Sequence, residues 1–289
     1  MSGYTKELSP FYHSETYREL LNLKNYVKKN RDRVTNFIEL IAISRLHGHS
    51  PGFFSVYSFP QISIPPARQD LINKSRRQAP EYRAVAPRII RKSAQALRDG
   101  FNSEFFSVAS ANNIQVSDSR SMKFIAANSV DLVVTSPPFL DKVDYIGDNW
   151  LEMWFAGVNP KKFRENLIMC RSVTEWSKFV SDFLKELLRV LKPNSYAVIE
   201  VGEVENSSGK IFLDEIVAKE AEKVSNPSKK FKIDEILINQ QNFTKLANCF
   251  KVDNNKKGTN TNRMVVLKAI AKRNSAKRSA TKRSAKKQK

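Results

Sequence analysis

Thr135-Ser136-Pro137-Pro138-Phe139 is the stretch of this chain best equipped for chemistry. An exocyclic amine of cytosine or adenine is a poor nucleophile, because its lone pair is delocalised into the ring. A site that transfers a group to it must hold the nitrogen tetrahedral. Two acceptors for its N–H groups do this, and the Ser136 hydroxyl and the Pro137 carbonyl are acceptors at suitable spacing. Neither Pro137 nor Pro138 has an N–H, and the second restricts the first to extended geometry, so that carbonyl stays out of regular pairing and the loop is stiff. Phe139 offers a ring to a base rotated out of a duplex, on which stacking contributes about 1 to 3 kcal/mol. Alone, the string reads first as a proline-rich turn closing a strand. Its place directly after the β-branched run Val130-Asp131-Leu132-Val133-Val134 reverses this.

Such a loop must be held by a sheet, and the second half of the chain has the pattern of one. Ile114-Gln115-Val116 reads as a short strand ending at Asp118, and Val130 to Val134 as a buried strand parallel to it. Thr174 reads as the cap of a helix with an apolar stripe at Trp176, Phe179, Val180, Phe183, Leu184, Leu187, Leu188 and Leu191, stopped by Pro193 and Asn194. Tyr196 to Val201 is the next strand, ending at Gly202-Glu203. Ile211 to Val224 reads as a helix, and Ile233 to Leu237 and Met264 to Leu267 as two last strands. Alternating strands and helices, with polar residues at the strand ends, predict an open α/β sheet.

The first hundred residues differ. Ser14 to Leu46 carry apolar residues at spacings of three and four and predict two helices. A loop rich in aromatics follows (Phe53, Phe54, Tyr57, Phe59). Between Pro66 and Arg98 basic residues, Arg76 and Arg77 among them, alternate with apolar ones, which predicts helices with a basic face; phosphate contact and plain solubility are its two readings. His47 and His49 flank Gly48 and read as capping or core groups rather than catalysts.

A formal net charge of +20 over 289 residues points to a polyanionic partner. From Lys268 onward there are ten basic residues and no acidic one. This tail reads as disordered, either solvated or tethering nucleic acid. Cys170 and Cys249 show no metal-ligand spacing with the three histidines, so no structural zinc is expected. No long apolar run or signal sequence is present, so no membrane is expected and a cytoplasmic address is.

The string NSVDLVVTSPPF resembles motif IV of the DNA methyltransferases that modify cytosine N4 or adenine N6. Members with Ser at the first position of the tetrapeptide mostly modify cytosine, those with Asp adenine. HSPGFFSVY, Leu191-Lys192-Pro193 with AVIEVGEV, and NFTKLANCF to GTNTNRMVVL extend the resemblance to one bacterial and phage-type group. It implies a partial Rossmann-like class I methyltransferase sheet of about five strands in place of seven, with an N-terminal helical region and a basic tail. The implied divisions are 1–105, helical with DNA contact; 106–270, catalytic; and 271–289, tail. The implied cofactor is S-adenosyl-L-methionine and the partner DNA. Ser136, Pro137, Pro138 and Phe139 are then the catalytic set. Asp118, Thr135, Gly202 and Glu203 would face the cofactor, with a capping or turn role open for Asp118. Arg76, Arg77, Gln240, Asn242, Lys245 and Arg263 would face DNA.

One departure matters. The family's glycine loop of the FxGxG type has no counterpart: none of the nine glycines is spaced as GxG. The chain reads as lacking the N-terminal side of the fold. Either a second polypeptide carries that loop, or the chain is an inactive DNA-binding remnant, or another segment replaces the loop. Methylation of an RNA or protein nitrogen by the same geometry is a further reading.

Overall fold

A computed structural model describes residues 4, 6–100, 103–138, 140, 144–206, 209–240 and 261–272. The chain divides into two compact units, residues 1–114 with 144–167, and residues 115–143 with 168–289. Residues 144–167, expected within the catalytic stretch, therefore belong to the helical unit, and the division falls after Ile114 rather than at 105.

The helical unit contains α1 (Ser14–Lys29), α2 (Arg33–Ile43), α3 (Pro66–Arg76), α4 (Val85–Leu97), α5 (Ser103–Ala111), α6 (Trp150–Ala156) and α7 (Pro160–Asn166). Asp32 caps α2 by accepting the Thr35 N–H at 2.8 Å. Apolar side chains at helical spacing converge on a core around Phe11, Tyr12, Leu20, Leu46, Phe54 and Leu151. The aromatic loop between α2 and α3 is held from inside by a buried cation. The Arg83 guanidinium donates to the carbonyls of Ser50, Phe53 and Ser55, while Arg88 donates to Pro51 O. These two members of the expected basic face are thus structural, since loop carbonyls withdrawn from water need donors.

His47 also faces inward. Its Nε2 lies 2.7 Å from Glu152 Oε1, and the Ser63 hydroxyl donates to Glu152 Oε2 at 2.5 Å, tying the loop to α6. Burial pushes the Glu152 carboxyl up, but the hydrogen bonds from His47 and Ser63 outweigh it, so its pKa lies below the ordinary value. A depressed carboxylate contributes stability that is present above its unfolded pKa, about 4.3, and lost as pH falls through the folded value. Urea midpoints of the full chain should accordingly fall between neutral pH and about pH 3.5, and Glu152→Gln should flatten that fall. Equal pH slopes for both proteins would remove this role.

In the other unit, β1 (Val130–Thr135), β2 (Leu191–Val201), β5 (Lys229–Gln240) and β6 (Thr261–Ala271) form a sheet in the order β1-β2-β6-β5. β1 and β2 are parallel; β6 runs antiparallel to both its neighbours. β3 (Glu203–Asn206) and β4 (Gly209–Phe212) make a hairpin, and α8 (Val173–Val190) and α9 (Leu213–Lys223) complete the unit. The α8 stripe packs with Ala197, Ile199 and Val201 of β2, Val265 and Leu267 of β6, and Leu213, Val217 and Ala221 of α9. Alternate residues of each strand thus meet the helices, as the two-residue repeat of a strand requires. Each of the larger of these side chains contributes about 1.5 to 3 kcal/mol on burial.

Several expectations are corrected. Val130 to Val134 form a strand but not a buried one: β1 lies at the end of the strand order, with Asp131, Leu132 and Val134 exposed and Val130 and Val133 half-buried. Ile114 and Val116 form no strand; the two residues are 89% and 103% exposed, so ordering that segment would bury little to offset its entropy. Ser172, not Thr174, caps α8, accepting the Glu175 N–H at 3.2 Å. The helix ends at Val190, ahead of Pro193, which disfavours helical geometry at Lys192 just before it; Leu191 already opens β2. The last two strands are also longer than expected. Among the described residues the sheet has four strands, with the two-stranded hairpin apart. No described helix is long and apolar enough to cross a membrane.

Candidate active site

The strand directions gather the candidate residues at one sheet edge. Thr135 pairs with Ile199, so the loop leaving β1 emerges beside the end of β2, where Gly202-Glu203 follows. Arg263 of β6 pairs with Val201 and with Ile238, and Thr261 pairs with Gln240, so the start of β6 and the end of β5 lie at the same edge. With strands about 4.8 Å apart, Gln240 stands about 14 Å along that edge from β1.

The loop itself is fixed by its carbonyl and its flanks. Ser136 is exposed, Pro137 is buried and Pro138 half-buried. A loop of two prolines has carbonyls but no N–H at those positions, so it can be held only by donors from elsewhere. The donor is Trp176 on α8, 1% exposed, whose indole N–H reaches Pro138 O at 2.8 Å. On the far side Leu140 is buried in the core with Trp176. Trp176 reads in the sequence only as part of an apolar stripe. A buried indole N–H needs an acceptor, and that is the signal that could have singled it out. Phe139 lies outside the described residues.

Upstream of β1, the Met122 N–H donates to Glu186 of α8 at 2.6 Å and Arg189 donates to Met122 O at 3.0 Å. The hydrogen bond from Arg189 holds the Glu186 carboxyl below its ordinary pKa, so this anchor is charged at neutral pH.

Asp118 occupies a turn rather than a strand end. Its carboxylate accepts the Arg120 backbone N–H at 2.8 Å and pairs with that guanidinium at 2.7 Å. The turn role is the one the structure gives it. Arg263 is equally committed: Nη1 donates to Asp214 Oδ2 at 3.1 Å, Nη2 lies 3.6 Å from Glu203 Oε2, and the guanidinium sits 4.3 Å over the Phe212 ring. Its side chain is only 14% exposed, and that of Glu203, which also pairs with Lys210 at 3.0 Å, only 10%. The cluster ties β6 to the hairpin and to the first turn of α9, where the Asp214 charge suits the helix dipole. Arg263, expected to face DNA, is paired with two carboxylates that are largely withdrawn from solvent. Thr135 is half-buried, Gly202 buried, and Gln240 exposed. Arg76 and Arg77 lie in the helical unit at the end of α3, both exposed, Arg77 in the left-handed region at φ 51°. Asn242 and Lys245 lie outside the described residues.

An α/β unit whose first strand runs into a Ser-Pro-Pro loop at the edge where its parallel strands end is the class of arrangement found here. A family model of DNA methylases, the N6/N4 methyltransferases, matches residues 130–289, and the chain belongs to that family. Solved structures similar to it include a candidate DNA modification methylase from Thermus thermophilus, at 17% identity over 55% of this chain and 54% of that one, TM-score 0.34. The PvuII DNA methyltransferase, cytosine-N4-specific, is 16% identical over 53% and 47%, TM-score 0.34. A methyltransferase from Methanosarcina mazei is 10% identical over 55% and 67%, TM-score 0.27. The chain spans about half the length of the first of these. Comparison with curated proteins gives no match.

Proposed function

We propose that the chain is the catalytic part of a DNA methyltransferase acting on cytosine N4, with adenine N6 as the alternative. The observation that carries this is the Ser136-Pro137-Pro138 loop at the end of β1, held by the Trp176 indole. Ser136 Oγ accepts one N–H of the target amine and the Pro137 carbonyl the other, which localises the lone pair on nitrogen. Because Trp176 engages the carbonyl of Pro138, the two acceptors keep their spacing before substrate arrives, and no reorganisation is needed at the moment of reaction. Phe139 stacks the extruded base. Ser136 in the place where adenine enzymes mostly carry Asp favours cytosine.

S-adenosyl-L-methionine supplies the electrophilic methyl group when bound. The described residues fit part of it. Thr135 and the backbone at Gly202 lie beside the loop, but the Glu203 carboxylate is taken by Lys210 and Arg263, and no GxG pair is present for the methionine portion. Leu132 and Val134, 57% and 71% exposed on the edge strand β1, favour a further segment or a second polypeptide completing the sheet there. Methyl transfer from labelled cofactor to duplex DNA, with nucleoside analysis of the product, tests the proposal. Label in N4-methylcytosine supports it, label in N6-methyladenine moves it to the alternative, and label in RNA alone removes DNA as substrate. If no nucleic acid takes up label, alone or with the product of the neighbouring gene, an inactive DNA-binding module is the better reading.

Trp176→Phe keeps an aromatic side chain but loses the donor and part of the buried volume. We expect kcat to fall roughly tenfold to a hundredfold through misplacement of the loop, KM for DNA to change little, and stability to drop by about 1 to 3 kcal/mol from the lost hydrogen bond and the smaller ring. An unchanged kcat would show that the hydrogen bond does not position the acceptors.

A further inference from the structure

A hollow in the helical unit lies outside the methyl-transfer site. It has a volume of about 400 Å³ and is lined by Tyr57, Phe59, Arg68, Leu71, Ile72, Ser75 and Arg76. That volume is within the roughly 300 to 1,000 Å³ of small-ligand sites. Residues 68, 71, 72, 75 and 76 recur at spacings of three and four, so α3 turns one face to the hollow. Two aromatic rings and two guanidinium groups line it, and among the described residues no carboxylate does; Asp70, also on α3, is not among the lining residues.

The hollow is built rather than incidental. The Tyr57 carbonyl accepts the side-chain amides of Gln69 at 2.9 Å and Gln78 at 3.0 Å, and both amides also donate to Asn73 Oδ1 at 2.8 Å. Asn73 in turn donates to Pro10 O at 2.8 Å. Gln69 is fully buried and Asn73 9% exposed. Burying amides is costly unless they are paired, so this network fixes the backbone that presents Tyr57. Over its ring, at 3.8 Å, lies the guanidinium of Arg76, exposed to solvent on α3.

We propose that this hollow binds an unpaired nucleotide, a planar base together with its phosphate. An apolar ligand would not call for two arginines, and a bare phosphate would not call for Tyr57 and Phe59. An arginine plane already laid on a tyrosine extends the stack to a base, while its N–H groups and those of Arg68 meet the phosphate. Aromatic faces combined with fixed cations are how single strands are held without regard to sequence. This goes beyond the methyl-transfer proposal and does not depend on it.

The full chain is titrated with two fluorescein-labelled single strands of equal length, an oligothymidylate and its abasic counterpart. Phosphate attraction, including that of the basic tail, is common to both, so the ratio of affinities isolates the base. The oligothymidylate should bind roughly tenfold more tightly. Arg76→Ala and Leu71→Glu, both at exposed positions, should bring the ratio close to one with unchanged circular dichroism. Equal binding of the two strands by the unmodified chain, or a ratio that survives both substitutions, overturns the proposal. Thymidine monophosphate as competitor distinguishes the source: displacement at strand-like concentrations assigns the hollow to free nucleotides, and failure to displace assigns it to a strand. Labelled-methyl transfer measured in parallel separates the two proposals. An intact ratio without transfer removes only methylation, and transfer without a ratio removes only this site.

Discussion

Ser136→Ala is expected to lower kcat for methyl transfer by about 10² to 10³-fold, the usual consequence of deleting one preorganised polar group at the reacting atom. The hydroxyl is one of only two acceptors proposed for the target amine. Without it one N–H has no directed partner, the nitrogen relaxes toward the plane of the ring, and its lone pair returns to conjugation. The backbone carbonyl of Pro137 remains, which is why some activity should survive. The residue is exposed at the end of β1, so stability should change by no more than about 0.5 kcal/mol, and DNA and cofactor affinities by little. The measurement is single-turnover transfer of labelled methyl to duplex DNA, with urea denaturation of the same preparation. A variant that transfers within a few-fold of the unmodified rate would leave the Pro137 carbonyl as the sole acceptor and remove Ser136 from the mechanism. Loss of transfer accompanied by loss of stability would point to the loop's packing instead.

What the sequence made legible was whatever depends on a local repeat. The α8 stripe and the alternation in β2 each bury one face against a neighbour, and that requirement is written in residue spacing. The loop could be found because two prolines with a preceding serine have few structural uses directly after a β-branched strand. Spacing says nothing about which partner a polar side chain finds across the fold. Arg83 looked like one more cation of a basic face, yet it lies beneath a loop whose carbonyls need donors. Arg263 sat in a polar string suited to DNA, and its two carboxylate neighbours come from positions 203 and 214, far from it in sequence. Trp176 matched the stripe so well that its N–H went unassigned. Ile114-Gln115-Val116 failed for the opposite reason. Its composition suits a strand, but a strand needs a ladder partner, and three residues cannot disclose whether one is available.

Arg263→Ala should therefore register as a folding defect before it registers in DNA binding. Asp214 is 3% exposed and Glu203 10%, and removing the guanidinium leaves two buried carboxylates with Lys210 as the remaining cation. Breaking a buried pair from one side costs about 3 to 5 kcal/mol. The lower end is expected here, because Asp214 Oδ1 and Arg263 Nε already lack hydrogen-bond partners among the described residues, so the intact pair is not fully satisfied. Urea denaturation of the full chain should show that loss, and Asp214→Ala in the same chain should recover part of it, since the second substitution removes the stranded charge. The alternative, a phosphate contact, makes a different forecast. Stability would stay constant, while the slope of DNA affinity against salt would fall by about one. The paired geometry favours the folding defect. A guanidinium stacked on Phe212 and paired with Asp214 would have to give up both contacts to reach a phosphate, and the gain of one exposed ion pair, about 0 to 1 kcal/mol, does not offset that.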